Sequence, residues 1–316
     1  MATTPTHHRL PETERRQNPE LIKAIPLRHP GRWVAAVMII ALGLIALHSV
    51  ATNERFHWST YLAYLFDKRI SEGAWVTLQI TVLAMALAVI LGVILAVMRM
   101  SPNPVLQSSA LAYLWVFRGT PVYVQLVFWG LFASIYPTLT LGIPSVHDFM
   151  QIDIQHLEAA FFFAVVGLGL NEAAYMAEIV RAGIGSVGEG QTEAATALGM
   201  PWSLSMRRIV LPQAMRVIIP PTGNELISML KTTSLVIAVP VTIDLYSQAS
   251  QIAGVNYRPV PLLLVASTWY LVITTILMVG QYFLEKKFSK GATRTMSKKQ
   301  LQILADELSA TKGHAR

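Results

Sequence analysis

The sequence predicts an all-α, polytopic membrane protein, and three observations carry that prediction. Of 316 residues, 53% are hydrophobic and only 14% are charged, where soluble domains usually carry about 25% charged residues. Three runs, 33–53, 73–98 and 259–284, are free of charge and match or exceed the roughly 20 residues that cross a hydrocarbon layer as helix. The net charge of +7 sits at the ends, with six of the 25 Lys and Arg in residues 1–32 and eight in residues 285–316. Basic ends flanking apolar spans are topology signals, which argues against nucleic acid as a partner. Cysteine is absent, so there is no disulfide framework and no thiolate metal site; His7-His8 lacks further ligands, and no metal site is expected.

Residues 1–32 are polar, basic and interrupted by proline, as in a disordered cytoplasmic tail. Residues 33–53 read as an N-terminal transmembrane helix. A signal peptide is the rival, since Ser49-Val50-Ala51 is similar to a cleavage site, but the apolar core is longer than the usual 7–15 residues. Residues 54–72 carry balanced charge beside Phe56, Trp58, Tyr61 and Tyr64, the composition of an interfacial segment on the outer face. Residues 73–98 form the second span, closed by Arg99 and Ser101-Pro102-Asn103-Pro104 at an inner turn. In 105–136 Pro121 predicts a kink, with 105–117 near the inner interface and 121–136 crossing. Arg118 there either snorkels to headgroups or faces a path.

Residues 137–158 hold Asp148, Asp153 and Glu158 without Lys or Arg and read as an outer loop. The span 159–183 is interrupted by Asn171, Glu172 and Glu178. Ionisable residues in a membrane are costly and face a bundle interior or a cavity. Asn171, Tyr175 and Glu178 follow i, i+4, i+7 spacing and share a face, while Glu178 and Arg181 at i, i+3 can pair. Residues 217–240 form the least hydrophobic span, with Pro220, Pro221, Asn224, Glu225, Ser228, Lys231, Thr232, Thr233 and Ser234. A polar, proline-broken helix lines an aqueous path or an interface between subunits. Residues 241–258 return outside, 259–284 form the last span, and 289–316 make a cytoplasmic tail with a short amphipathic helix at 297–309. Both termini are placed inside, because the outer loops hold four Lys and Arg against fourteen in the tails.

Between the spans at 159–183 and 217–240 lies an island rich in Ala, Gly, Arg and Glu. It reads Glu193-Ala194-Ala195, three residues, Gly199, nine residues, then Ile209-x-Leu211-Pro212. Ala194, Ala195, Ala197 and Leu198 favour a short helix. Gly199 stands where a left-handed residue ends one, Pro201 starts a second, and Pro212 limits its far end. Glu193 is then a charged tip. This spacing resembles the EAA loop of ABC-importer permeases. Phe117-Arg118-Gly119-Thr120-Pro121, Ala174 to Ile184, and Asn224 with Lys231-Thr232-Thr233-Ser234-Leu235 resemble the polar-amino-acid branch of that family, over residues 73–288.

The resemblance implies a type I ABC-importer permease fold, a five-helix core plus one extra N-terminal transmembrane helix, in the cell's inner (plasma) membrane. It also implies that 184–212 is a cytoplasmic coupling loop docking on the ATPase through Glu193, Ala194, Ala195, Gly199, Ile209, Leu211 and Pro212. The partners it implies are a cytoplasmic ABC ATPase dimer, a second permease subunit (a copy or a paralogue), an extracellular or periplasmic solute-binding protein and an amino acid substrate. No Gly-x-x-x-x-Gly-Lys-[Ser/Thr] loop is present, so the chain is read as a transport subunit without a cofactor, not an enzyme. ATP and Mg²⁺ belong to the partner. Candidates for the substrate path are Arg118, Thr120, Glu172, Tyr175, Glu178, Asn224, Glu225 and Lys231. The acids would suit a cationic substrate and Arg118 or Lys231 a carboxylate; pairing of these charges with one another is the alternative. A secondary transporter driven by an ion gradient is the rival function, and it leaves the loop spacing without a reason.

Overall fold

The computed structural model describes residues 30–143, 147–153 and 159–288. The tail readings for 1–29 and 289–316, including the helix at 297–309, lie outside the described residues. The chain divides into two compact units, Met1–Glu54 and Arg55–Arg316. In the first, α1 (Pro30–Thr52) is a single helix with Leu, Ile, Val and Met exposed all round. It is long and apolar enough to cross a membrane.

The second unit begins with a short turn and α2 (Trp58–Tyr64), then the 33-residue α3 (Lys68–Met100), whose first turn is capped by Asp67 accepting from the Arg69 backbone N–H. One stripe of α3 is small and buried, running through Gly73, Ala74, Thr77, Thr81, Ala84, Ala88, Gly92 and Ala96. Its other side exposes Trp75, Val82, Ile90, Val93 and Val97. Lipid is as apolar as leucine, so helices in a bilayer associate through close small-residue contacts and interhelical hydrogen bonds. From Ala84 to Ala96 the partner of that stripe is α6 (Ala159–Gly185), while Gly73 and Thr77 meet Leu245. A Cβ on Gly92 would lie 2.5 Å from the Cβ of Met176, so only glycine allows this approach.

Between them, α4 (Pro104–Gly119) and α5 (Val122–Ile135) are two helices separated by Thr120-Pro121, a break where the sequence suggested a kink. The freed groups are satisfied by two amides. Gln125 Nε2 donates to the carbonyl oxygens of Phe117 and Thr120, and Asn171 Nδ2 donates to Phe117 O at 2.9 Å. Within the expected outer loop, Thr138–Ile143 (β1) and His147–Asp153 (β2) form an antiparallel hairpin with a bulge between Leu141 and Gly142. The Thr-Leu-Thr-Leu alternation of β1 is strand-like.

After α6 come α7 (Glu189–Ala197), α8 (Trp202–Ser205), a π turn over Met206–Val210, and α9 (Leu211–Thr232). Pro212 does not limit the preceding helix. It stands second in α9, directly after the π turn, and the helical run passes through it without a break. Nor is α9 broken at Pro220-Pro221; it continues through both and loosens into a 3₁₀ turn, Thr233–Ala238. The region 241–258 contains α10 (Leu245–Asn256), capped by Asp244 accepting from the Tyr246 and Ser247 backbone N–H groups. The last helix, α11 (Pro259–Phe288), is tied to the α2 region by Trp269 Nε1 donating to Leu65 O at 2.8 Å and by Tyr61 OH 3.0 Å from Thr268 Oγ1. Helices α1, α3, α6 and α11 are long and apolar enough to cross a membrane, and α5 is shorter.

Candidate functional site

The break at Thr120-Pro121 opens the bundle. A cavity of about 580 Å³ lies there between the α4–α5 junction, α6 and α9, lined among others by Arg118, Thr120, Asn171, Glu172, Tyr175, Glu225, Ser228 and Thr232. Glu172 is 9% exposed, its Oε1 has no hydrogen-bond partner among the described residues, and its carboxyl faces that of Glu225. Neither acid has an ion-pair partner among the described residues. A buried carboxylate left without a cation is costly, and two facing carboxyls offset that cost by sharing a proton in a hydrogen bond. A positively charged group entering the cavity can take the place of that proton. No group of three His, Cys, Asp or Glu that could hold a metal ion occurs among the described residues.

Glu178, two turns further along α6, has the opposite surroundings. Its Oε1 accepts from Arg99 and, at 3.2 Å, from Arg118; its Oε2 accepts from Arg181 Nε at 3.1 Å, with Arg181 Nη2 also 3.1 Å away as an ion pair. Three guanidinium groups from α3, α4 and α6 thus converge on one carboxylate. Arg118 also lies over the Tyr175 ring, its guanidinium carbon 5.3 Å from the centroid.

Five of the sequence candidates for a substrate path, Arg118, Thr120, Glu172, Tyr175 and Glu225, therefore share one cavity. Three are not among its lining residues. Glu178 is held in the arginine cluster. Asn224 accepts from Gln281 Nε2 at 2.9 Å and ties α9 to α11. Lys231 is exposed in the last turn of α9, where a cation complements the helix dipole. Sequence reasoning missed Gln125, whose signal was an amide four residues after Pro121, and Arg99, read only as a span end.

The island 189–212 forms a separate feature. α7 ends in a Schellman turn, with Met200 N–H donating to Ala195 O at 3.0 Å and Gly199 N–H to Thr196 O at 2.9 Å. Gly199 has φ of +72°, the left-handed region in which a side chain is strained. Ala195 is buried under the turn, Glu193 and Ala194 are exposed on α7, and Pro201 caps α8. Leu198 is 80% and Trp202 73% exposed, one on each side of the Gly199 turn in sequence, and Glu193, Arg207 and Arg208 are exposed in the same segment. Ile209 is half-buried, Leu211 and Pro212 are exposed at the start of α9, and Gln213 Nε2 donates to Gln191 Oε1 at 3.2 Å.

Residues 88–290 match the family model described as binding-protein-dependent transport system inner membrane component. The chain is 60% identical over 297 residues to the arginine transport system permease protein ArgU of Corynebacterium glutamicum, covering 94% of this chain and 92% of that one. It is 36% identical over 222 residues to the arginine transport system permease protein ArtQ of Bacillus subtilis, covering 70% and 93%. A crystal structure of an amino acid ABC transporter with histidines superposes with a TM-score of 0.58 at 34% identity, covering 69% of this chain and 94% of that one. An inward-facing MetNI methionine ABC transporter chain shares the fold, with a TM-score of 0.55 at 19% identity over 70% of this chain and 96% of that one. With its helical bundle, its Gly199 turn and a family match spanning more than half its length, the chain belongs to the inner-membrane components of binding-protein-dependent ABC transport systems.

Proposed function

We propose that this chain is the permease subunit of an ABC importer for amino acids with a cationic side chain, arginine being the first to test. The observation that carries the choice of substrate is the facing pair Glu172 and Glu225 in a polar cavity, with no ion-pair partner for either among the described residues. A guanidinium or ammonium group supplies the missing charge and donors. The arginine-transport names of the similar permeases support the same class. A secondary transporter is set aside, since the family works with a separate binding protein and ATPase.

In this reading both termini are cytoplasmic, 33–53 is an extra membrane helix additional to the permease domain 73–288, and α9 crosses despite its polarity because it lines the cavity. A second permease subunit, a copy or a relative, completes the pathway, and a solute-binding protein delivers substrate from outside. The 184–212 segment docks on the ATPase dimer, with Leu198 and Trp202 as apolar contacts and Glu193, Ala194, Ala195, Gly199, Ile209, Leu211 and Pro212 shaping them. ATP and Mg²⁺ act in the ATPase; this chain binds no cofactor. ATP binding drives transport only if it favours one permease state over the other.

The test is uptake into vesicles holding the permease with its ATPase and binding protein. ATP-dependent accumulation of L-arginine, and little of L-glutamate, is expected. The Gly199→Asp variant should insert but lose most substrate-stimulated ATP hydrolysis, because aspartate strains the left-handed turn. Uptake by the permease alone from an ion gradient would overturn the reading.

A further inference from the structure

Glu178 holds more positive charge than it needs. Arg181 donates its Nε–H to Oε2 and keeps Nη2 at 3.1 Å from it, and Arg99 donates to Oε1, so both oxygens are satisfied without Arg118. Arg118 is the third guanidinium, at 3.2 Å, with its side chain 43% exposed against 23% for Arg99. It alone of the three lines the cavity. There it rests on the face of Tyr175, itself a lining residue, and cation–π contact with the ring holds it without a second anion. Three guanidinium groups on one carboxylate leave a surplus of two positive charges, so a further anion is attracted to this end of the cavity. The opposite imbalance lies at Glu172 and Glu225. Glu172 and Glu178 are six residues apart on α6, about 9 Å at about 1.5 Å per residue, a distance comparable with the reach of an extended arginine or lysine.

We propose that Arg118 is a two-position anchor, resting on Glu178 in the empty cavity and turning about the Tyr175 face to hold the carboxylate of a zwitterionic substrate whose cationic end lies at Glu172 and Glu225. The inference rests on the reading of the cavity as an amino acid site. Glu178 is then the resting counter-ion of Arg118 and not a substrate ligand. Arg99 and Arg181 keep it neutralised when Arg118 leaves, so the tie between α3 and α6 survives while the tie from α4 is released. Binding at the cavity thereby loosens one contact nearer the C-terminal end of α6, the helix that leads into the 184–212 segment.

The test measures direct binding of two probes to the detergent-solubilised permease–ATPase complex without the binding protein. The probes are L-arginine and agmatine, which is arginine without its carboxylate. The wild-type complex should bind L-arginine at least about tenfold more tightly than agmatine, since a site built to hold a group rejects the analogue lacking it. Arg118→Gln should bring L-arginine down to the agmatine level while leaving agmatine binding unchanged, with the melting temperature checking the fold. Tyr175→Leu, which removes the ring platform, should reduce the preference several-fold, and Tyr175→Phe should keep it. Equal binding of both probes by wild type, or equal weakening of both by Arg118→Gln, overturns the anchor and leaves the cationic site standing. Binding of neither probe by wild type overturns both.

Discussion

Two glutamates on one helix show opposite electrostatic arrangements. Glu172 is buried, faces another acid and has an orphan oxygen; Glu178, six residues on, is partly exposed and contacted by three arginines. Both are acids in the middle of an apolar sequence, and composition does not separate them. The difference lies in what α3, α4 and α9 place opposite each. At the cavity α9 supplies a carboxyl, and nearer the C-terminal end of α6 α3 and α4 supply guanidinium groups. An over-satisfied acid holds helices together, whereas an under-satisfied one is ready for a ligand.

That contrast is open to direct test. The largest expected effect is on stability. Glu178→Gln leaves three guanidinium groups facing one another and should destabilise the bundle by about 2 kcal/mol, below the 3–5 of a fully buried broken pair because the cluster is part-exposed. A melting temperature unchanged in detergent would remove Glu178 as a staple; L-arginine binding should stay within about threefold. Next, Glu172→Gln should leave the melting temperature the same or higher and weaken L-arginine binding about tenfold, or about 1.4 kcal/mol. Loss of stability with normal binding would reverse the assignment of the two acids.

A double-mutant cycle with Glu225→Gln sharpens the point. If the two acids share one cation, their effects on binding should fail to add by about 1 kcal/mol; additive effects would separate them. The smallest effect concerns Asp244, a second acid with an orphan oxygen, outside the spans in this reading. Burial raises its pKa above the ordinary aspartate value, so the folded state holds the proton to higher pH than the unfolded chain does. Its contribution to stability is present below the unfolded value and fades as pH rises through the folded one. Thermal melts of the wild type should therefore decline over that window, and Asp244→Asn, still able to cap α10, should lose the decline.

The placement of apolar spans was legible because hydropathy and length are local properties. So was the turn at Gly199, whose left-handed geometry follows from a glycine after an alanine-rich helix. The site was half legible. Asn171, Glu172 and Tyr175 announce a polar face on α6, but only the packing of α4 and α9 decides which acid meets a cation. Arg99 at a span end gave no hint that it reaches Glu178, which is 79 residues away in sequence. Pro212 misled because a π turn directly before it carries the helical run through a proline that would otherwise end it. The hairpin at 138–153 was hidden inside a segment sorted by charge alone.

The join between α8 and α9 carries a mechanical corollary. From Trp202 through the π turn to Thr232 the backbone stays in one right-handed helical run. Trp202 and Glu225 sit on the same strut, about 35 Å apart at about 1.5 Å per residue. Over such a length a tilt of about 5° sweeps an arc of about 3 Å at the far end, enough to part or close two facing carboxyls. Pro220-Pro221, short of backbone donors, is where this strut is most easily flexed, and stiffening that pair would alter how faithfully a push at one tip arrives at the other.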